Sequence, residues 1–237
     1  MNVLAIGAHP EDIVIGCGGS LVKATRNGHN IYALALTLEL FSHDPGQRKD
    51  QFMQFAKRIG AKDARVCNFK DNSLCFVTDK LINVIENFAD EVSPDIIFTH
   101  SLRDIQSDHR AVATATIEGA RFYSNILSYE VPHSKNFDPL IFNDISDAIE
   151  EKISLAKLFP SGLDTLSLDP SGIKSISRYR AIQCGPRSSI TNVEAFEALK
   201  MYLDKEFKLT KAPFQKPEAK YLTAPAQRPA REITQSA

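Results

Sequence analysis

The stretch NVLAIGAHPEDIVIGCGGSL, residues 2–21, decides the fold. It opens on NVLAIGA (2–8), a short apolar run of the kind that parallel sheets bury on both faces. A polar turn follows, and Leu21, Val22 and Ala24 then lead to a glycine stop at Gly28, as a helix would. The same couplet recurs downstream. IYALALT (31–37), ARVCNF (64–69) and PDIIFTH (94–100) are further apolar runs. Phe52, Phe55, Ala56 and Ile59 mark one helix face ending at Gly60, and Leu81, Ile82, Ile85, Phe88 and Ala89 mark another before Ser93-Pro94. Four such alternations predict a Rossmann-like three-layer α/β sandwich with a mostly parallel sheet and helices on both faces. ILSYEV (126–131) and LIFNDI (140–145) read as later strands and residues 147–159 as a helix. Ser161 to Ser175, rich in Gly, Pro, Ser and Asp, reads as a long surface loop or as the frame of an active-site rim.

The chain has 237 residues, with 28 Lys+Arg against 29 Asp+Glu and a formal charge of −1. This is the composition of a globular chain with room for a sizeable core and no global basic field to collect nucleic acid. Residues 1–207 are expected to form one domain, with a tail over 208–237. The tail holds six Lys/Arg, two Asp/Glu and four of the twelve prolines, and its net +4 opposes the −5 of the preceding residues. That composition suits a flexible segment or one draped over a partner subunit, and a homo-oligomer stays open. The cysteines, Cys17, Cys67, Cys75 and Cys184, match no zinc-knuckle or disulfide spacing. With no signal-peptide pattern and no apolar run near ~18 residues, a cytoplasmic protein without a membrane span is expected.

Chemistry concentrates after the first and fourth strands, where open α/β sheets bind ligands. Ala8-His9-Pro10-Glu11-Asp12 follows the first. His9 and Asp12 can converge on one metal from a tight turn, which Pro10 stiffens. The fourth strand ends in Thr99-His100 and runs into Arg103-Asp104-Ile105-Gln106-Ser107-Asp108-His109. A histidine of this second segment would be the third ligand, since two imidazoles and one carboxylate leave a tetrahedral Zn2+ an open position for water, and Glu11 is then the natural general base. Asp104 and Asp108 can orient His109 or His9 through the ring nitrogen turned away from the metal. Two plainer readings compete: Gly16, Gly18 and Gly19 could cradle a nucleotide phosphate, and Asp108-His109 could simply cap a helix.

AHPEDIVIGCGGSL (8–21) and THSLRDIQSDHR (99–110) resemble the two metal motifs of the zinc-dependent N-acetylglucosaminyl deacetylases of the PIG-L/LmbE type. Weaker matches are Arg48 and Asp50, Asp71, Tyr129-Glu130, and residues 192–196; the resemblance spans roughly 1–203 and leaves out the tail. It implies that His9, Asp12 and His109 ligate zinc, that Glu11 is the catalytic base, and that Arg48 and Asp71 contact the sugar. The implied reaction is hydrolysis of a linear amide C–N bond, releasing acetate from an N-acetyl amino sugar or sugar conjugate. Two departures stand out. Glu11 replaces the family's aspartate and adds a methylene, at a scale where a 1 Å misplacement costs about 100-fold. Gln106 stands where many relatives carry a histidine that assists the oxyanion; a neutral amide still donates but cannot transfer a proton. His100 is a substitute donor from the strand end, or else a packed histidine beside the ligands. The alternative function is a catalytically weakened binding or assembly protein that keeps the fold.

Overall fold

A computed structural model describes residues 1–38, 45–165, 168–185 and 189–203. The tail at 208–237 and most of the loop at 38–47 lie outside the described residues. The chain begins as β1 (Asn2–Gly7), α1 (Pro10–Arg26), β2 (Asn30–Ala35), α2 (Pro45–Arg58), β3 (Asp63–Val66), α3 (Thr78–Val92), β4 (Ile96–His100) and α4 (Ser107–Gly119). It continues as β5 (Ile126–Tyr129), β6 (Ile141–Asp144), α5 (Ile149–Ala156), α6 (Pro160–Thr165), α7 (Pro170–Cys184) and β7 (Val193–Lys200). The strands form one sheet in the order β3-β2-β1-β4-β5-β7-β6, parallel from β3 through β5, with β7 antiparallel to both its neighbours.

Alternation along β1 explains the three layers. Val3 and Ala5 face a core built from α1, α2 and α5, with Ile13, Leu21, Phe52, Phe55 and Ile153, whereas Leu4 and Ile6 face Leu81, Ile85, Phe88 and Val112 of α3 and α4. Burying both faces leaves the strands no polar side, and so their sequences run apolar. The glycine stops hold: Gly28 and Gly60 adopt φ of +76° and +65° just past α1 and α2, a region open to glycine at no steric cost.

Two expectations need correction. Ser161 to Ser175 is not one long loop, because α6 and the first turns of α7 occupy most of it. Its turn-like Asp-Pro-Ser-Gly is a helix start: Asp169 accepts a hydrogen bond from Gly172 N at 2.7 Å and Pro170 opens the first turn. The glycine run is no phosphate loop, since Gly16, Gly18 and Gly19 lie inside α1. A Cβ on Gly16 would stand 2.2 Å from the Tyr129 ring, and one on Gly19 2.9 Å from Ile145. These glycines let the sheet and the β6–α5 connection approach the helix. Tyr129 is accordingly a core residue, fully buried with its hydroxyl donating to Ile6 O at 2.8 Å.

Candidate metal and catalytic site

β1 and β4 are neighbours whose chains leave the sheet to opposite faces, so the segments after them meet. After β1, His9 is the N-cap of α1 in extended conformation (φ −115°, ψ 157°) and Pro10 starts the helix. The Asp12 carboxylate reaches back to accept the His9 backbone N–H at 2.8 Å, the return half of a capping box. This local bond aims Asp12 at the histidine. Asp12 Oδ2 then lies 3.1 Å from His9 Nδ1, 3.3 Å from His100 Nε2 and 3.4 Å from His109 Nε2. One carboxylate oxygen thus has three imidazole nitrogens around it, in a pocket where His9, Asp12, His100 and His109 are all buried.

Which of these can hold a metal follows from the hydrogen bonds. His9, Asp12 and His109 offer ligand atoms within 4.8 Å of one another. His100 accepts the Ala8 backbone N–H at Nε2, 3.0 Å away, so the lone pair nearest the cluster is in use. Its ring instead stacks on His109, with centroids 3.9 Å apart and planes 20° from parallel, and fixes that ring's plane. Two more triads share these histidines, His100–Asp104–His109 and His9–Asp71–Asp108. Their carboxylates are already engaged. Asp104 accepts from Gln106 N at 2.9 Å and from Ser134 Oγ at 3.3 Å, and its Oδ2 stands 3.1 Å from His109 Nδ1, off the line of a good hydrogen bond. Asp108 accepts from Asn72 N at 2.7 Å and Leu74 N at 3.1 Å. Asp104 thus stands beside His109, whereas the Asp108 carboxylate holds the 72–74 turn; the N-cap of α4 is Gln106.

Glu11 and Arg48 form a buried ion pair, Arg48 Nη2 donating to Glu11 Oε2, with both residues 1% exposed. Asp71 Oδ1 stands 2.8 Å from His9 Nε2 and its other oxygen accepts from Asn72 Nδ2. Gln106 is half-buried at the entrance to α4. Glu130, another weak match, pairs with Arg180 of α7.

The electrostatics follow from burial without solvent. Burial alone would raise the Asp12 carboxyl, but His109, His100 and His9 hold it well below the usual carboxylate range. Burial would lower the His9 imidazole, yet Asp12 foremost, with Asp71 and Glu11, lifts it to about 10. Burial and the adjacent His109 press His100 down to about 4, keeping it neutral as its accepted hydrogen bond requires. Burial also raises Glu11, outweighing the Arg48 and His9 charges that lower it.

Sequence reasoning missed Glu197. It accepts from Ser101 Oγ and Ser128 Oγ, each at 3.1 Å, from Asp138 N at 3.0 Å, and from Arg103, and so pins the segment between β4 and α4 to β7. The available signal was two glutamates in the otherwise apolar VEAFEALK, a pattern that calls for buried partners.

This fold and site define an α/β protein with a mostly parallel sheet and a His-Asp-His cluster at the carboxyl ends of two adjacent strands. The PIG-L family, described as GlcNAc-PI de-N-acetylase, matches residues 4–120, and that stretch of the chain belongs to it. It is 29% identical over 153 residues to the uncharacterized deacetylase YaiS of Escherichia coli K12, covering 62% of this chain and 83% of that one. It is 26% identical over 216 residues to the diacetylchitobiose deacetylase of Thermococcus kodakarensis, covering 78% and 80%. The fold also superimposes on the 4-carboxy-2-hydroxymuconate hydratase GalB of Pseudomonas putida KT2440, with a TM-score of 0.72, 17% identity, and 85% and 97% of the two chains covered. That last likeness is one of fold alone. Among the described residues no helix is long and apolar enough to cross a membrane.

Proposed function

We propose that the protein is a zinc-dependent N-deacetylase that hydrolyses the acetamide of an N-acetyl amino sugar or sugar conjugate. The observation that carries this reading is the convergence of His9 Nδ1 and His109 Nε2 on Asp12 Oδ2 in a buried pocket, where His109 Nε2 lacks a hydrogen-bond partner. Buried polar atoms without partners are costly, and a metal ion is what two imidazoles and a carboxylate in that arrangement accommodate. His9, Asp12 and His109 would hold it. The chemistry such an ion supplies is Lewis acidity, which polarises an amide carbonyl and brings the pKa of a water from 15.7 to about 7.

The chain's own residues do the rest. Glu11 accepts a proton from the attacking water at Oε1, the oxygen that no group occupies, and returns it to the departing amine. Its raised pKa suits both transfers better than an ordinary carboxylate would. Arg48, bound to Oε2, fixes the direction of the longer glutamate side chain and so offsets the extra methylene. Gln106, as a neutral amide, donates to the oxygen that becomes anionic. The N-acetyl sugar class is supported by family membership and by the diacetylchitobiose deacetylase. Acetate and primary amine release from a panel of N-acetylated sugars, by zinc-loaded wild type and Glu11→Gln, tests it. Release by wild type alone is expected. Stoichiometric zinc with no turnover on any N-acetyl sugar would favour the binding-protein alternative.

A further inference from the structure

We infer that Asp71 is a positioning residue for the metal ligand His9, and that Asp108 acts through it. The inference rests on the His9–Asp12–His109 reading above. The two nitrogens of His9 face opposite ways, Nδ1 toward Asp12 at 3.1 Å and Nε2 toward Asp71 Oδ1 at 2.8 Å. A ligating imidazole must offer one unprotonated nitrogen, and the tautomer is set by what the other nitrogen meets. Asp71, a carboxylate with only acceptor sites when ionised, holds the Nε2–H of His9, so that the proton the imidazole gives up to a metal is the one at Nδ1, on the side of Asp12 and His109.

The loop that carries Asp71 is itself held from the other ligand's helix. Asn72 sits in the left-handed region, φ +56°, and turns its backbone N–H to Asp108 Oδ2 at 2.7 Å; Leu74 N donates to Asp108 Oδ1 at 3.1 Å. Asp108 immediately precedes His109. A continuous path therefore runs from the His109 helix through Asp108, the 72–74 turn and Asp71 to the outer nitrogen of His9. Asp104 stands in the corresponding place for His109, 3.1 Å from its Nδ1. Each imidazole ligand thus has its own carboxylate, and the two ligand-bearing segments are tied to each other outside the metal. A sugar contact, the role that family resemblance suggests for Asp71, requires no hydrogen bond to His9.

Zinc affinity separates the two roles. Metal-free wild type, Asp71→Asn, Asp71→Ala and Asp108→Ala are titrated with zinc against a chromophoric chelator, and their Co2+ absorption spectra are compared. Asp71→Asn, which keeps size and an accepting oxygen but loses the charge, is expected to bind zinc about tenfold more weakly, and Asp71→Ala about a hundredfold, the usual range for losing a histidine's outer partner. Both are expected to alter the Co2+ spectrum. Asp108→Ala should weaken binding less, and the Asp71→Ala/Asp108→Ala double variant should be no weaker than Asp71→Ala alone. Zinc held as tightly by both Asp71 variants as by wild type, with only KM raised, would overturn the inference and restore the sugar contact. A wild type that takes up no zinc would instead overturn the deacetylase reading and this inference together.

Discussion

α1 carries two buried polar clusters, one at its first turn and one at its middle, and they are built in opposite ways. At the middle, Lys152 Nζ donates to Ile15 O at 2.6 Å and to Glu194 Oε1 at 2.7 Å, while Glu194 accepts Gly19 N at 2.8 Å and Ser20 N at 2.7 Å. The ion pair thus reaches the helix backbone at Ile15 O on one side and at Gly19 N and Ser20 N on the other, and no buried side-chain atom of the cluster is left without a partner. At the first turn the opposite holds. Glu11 Oε1, Arg48 Nε and Nη1, His100 Nδ1, and both ring nitrogens of His109 lack partners, and among the described residues every such buried atom belongs to this cluster. The satisfied cluster is complete as a piece of structure. The unsatisfied one is arranged for something the chain does not itself supply.

Substitutions can break that contrast from either side. The largest effect is expected at the first turn, where Glu11→Gln keeps zinc by elemental analysis but lowers deacetylation by about 10²–10⁴-fold, the usual contribution of a general base. At the middle of α1, Glu194→Ala leaves Lys152 uncompensated in the core and should cost about 3–5 kcal/mol of stability, read by urea unfolding of the metal-free protein. Lys152→Met combined with Glu194→Leu should recover much of that loss. Zinc sharpens the contrast further: at about 100 times its Kd it should stabilise wild type by about 2.7 kcal/mol, and His109→Ala hardly at all.

A further effect is one of pH in the metal-free protein. The His9 pKa is raised from 6.5 to about 10 in the fold, so the protonated imidazole stabilises the native state fully below about 6.5 and the contribution is lost as pH rises through 10. Thermal melts of the metal-free protein should therefore fall over that window, and His9→Gln should flatten the slope.

Much of the fold was legible because its signals are local. Apolar runs such as NVLAIGA and helix faces such as Phe52-Phe55-Ala56-Ile59 state their burial directly, and the stops at Gly28 and Gly60 are required by backbone angles. α7 was hidden because its N-cap and first turn, Asp169-Pro170-Ser171-Gly172, use the same residues as a loop. The glycines of α1 misled for a related reason: a helix packed closely against Tyr129 and Ile145 needs small residues as much as a phosphate loop does. In the site, His9, Glu11, Asp12 and His109 could be picked out because two segments each carry several chemistry-bearing residues at strand ends. Pairings across the chain could not. That Arg48 meets Glu11, that Asp71 meets His9, and that Asp108 holds the 72–74 turn depend on segments separated by 37, 62 and 36 residues in sequence, which only the fold brings together.

The central claim is that the unsatisfied cluster at the start of α1 is a metal site, and metal stoichiometry tests it most directly. Untagged wild type and the Asp12→Ala and His109→Ala variants, each supplied with zinc and then desalted, are compared by elemental analysis. About one zinc per wild-type chain, lost in both variants whose folds are intact by circular dichroism, is the predicted result. No zinc in wild type, or full stoichiometry in both variants, would contradict it.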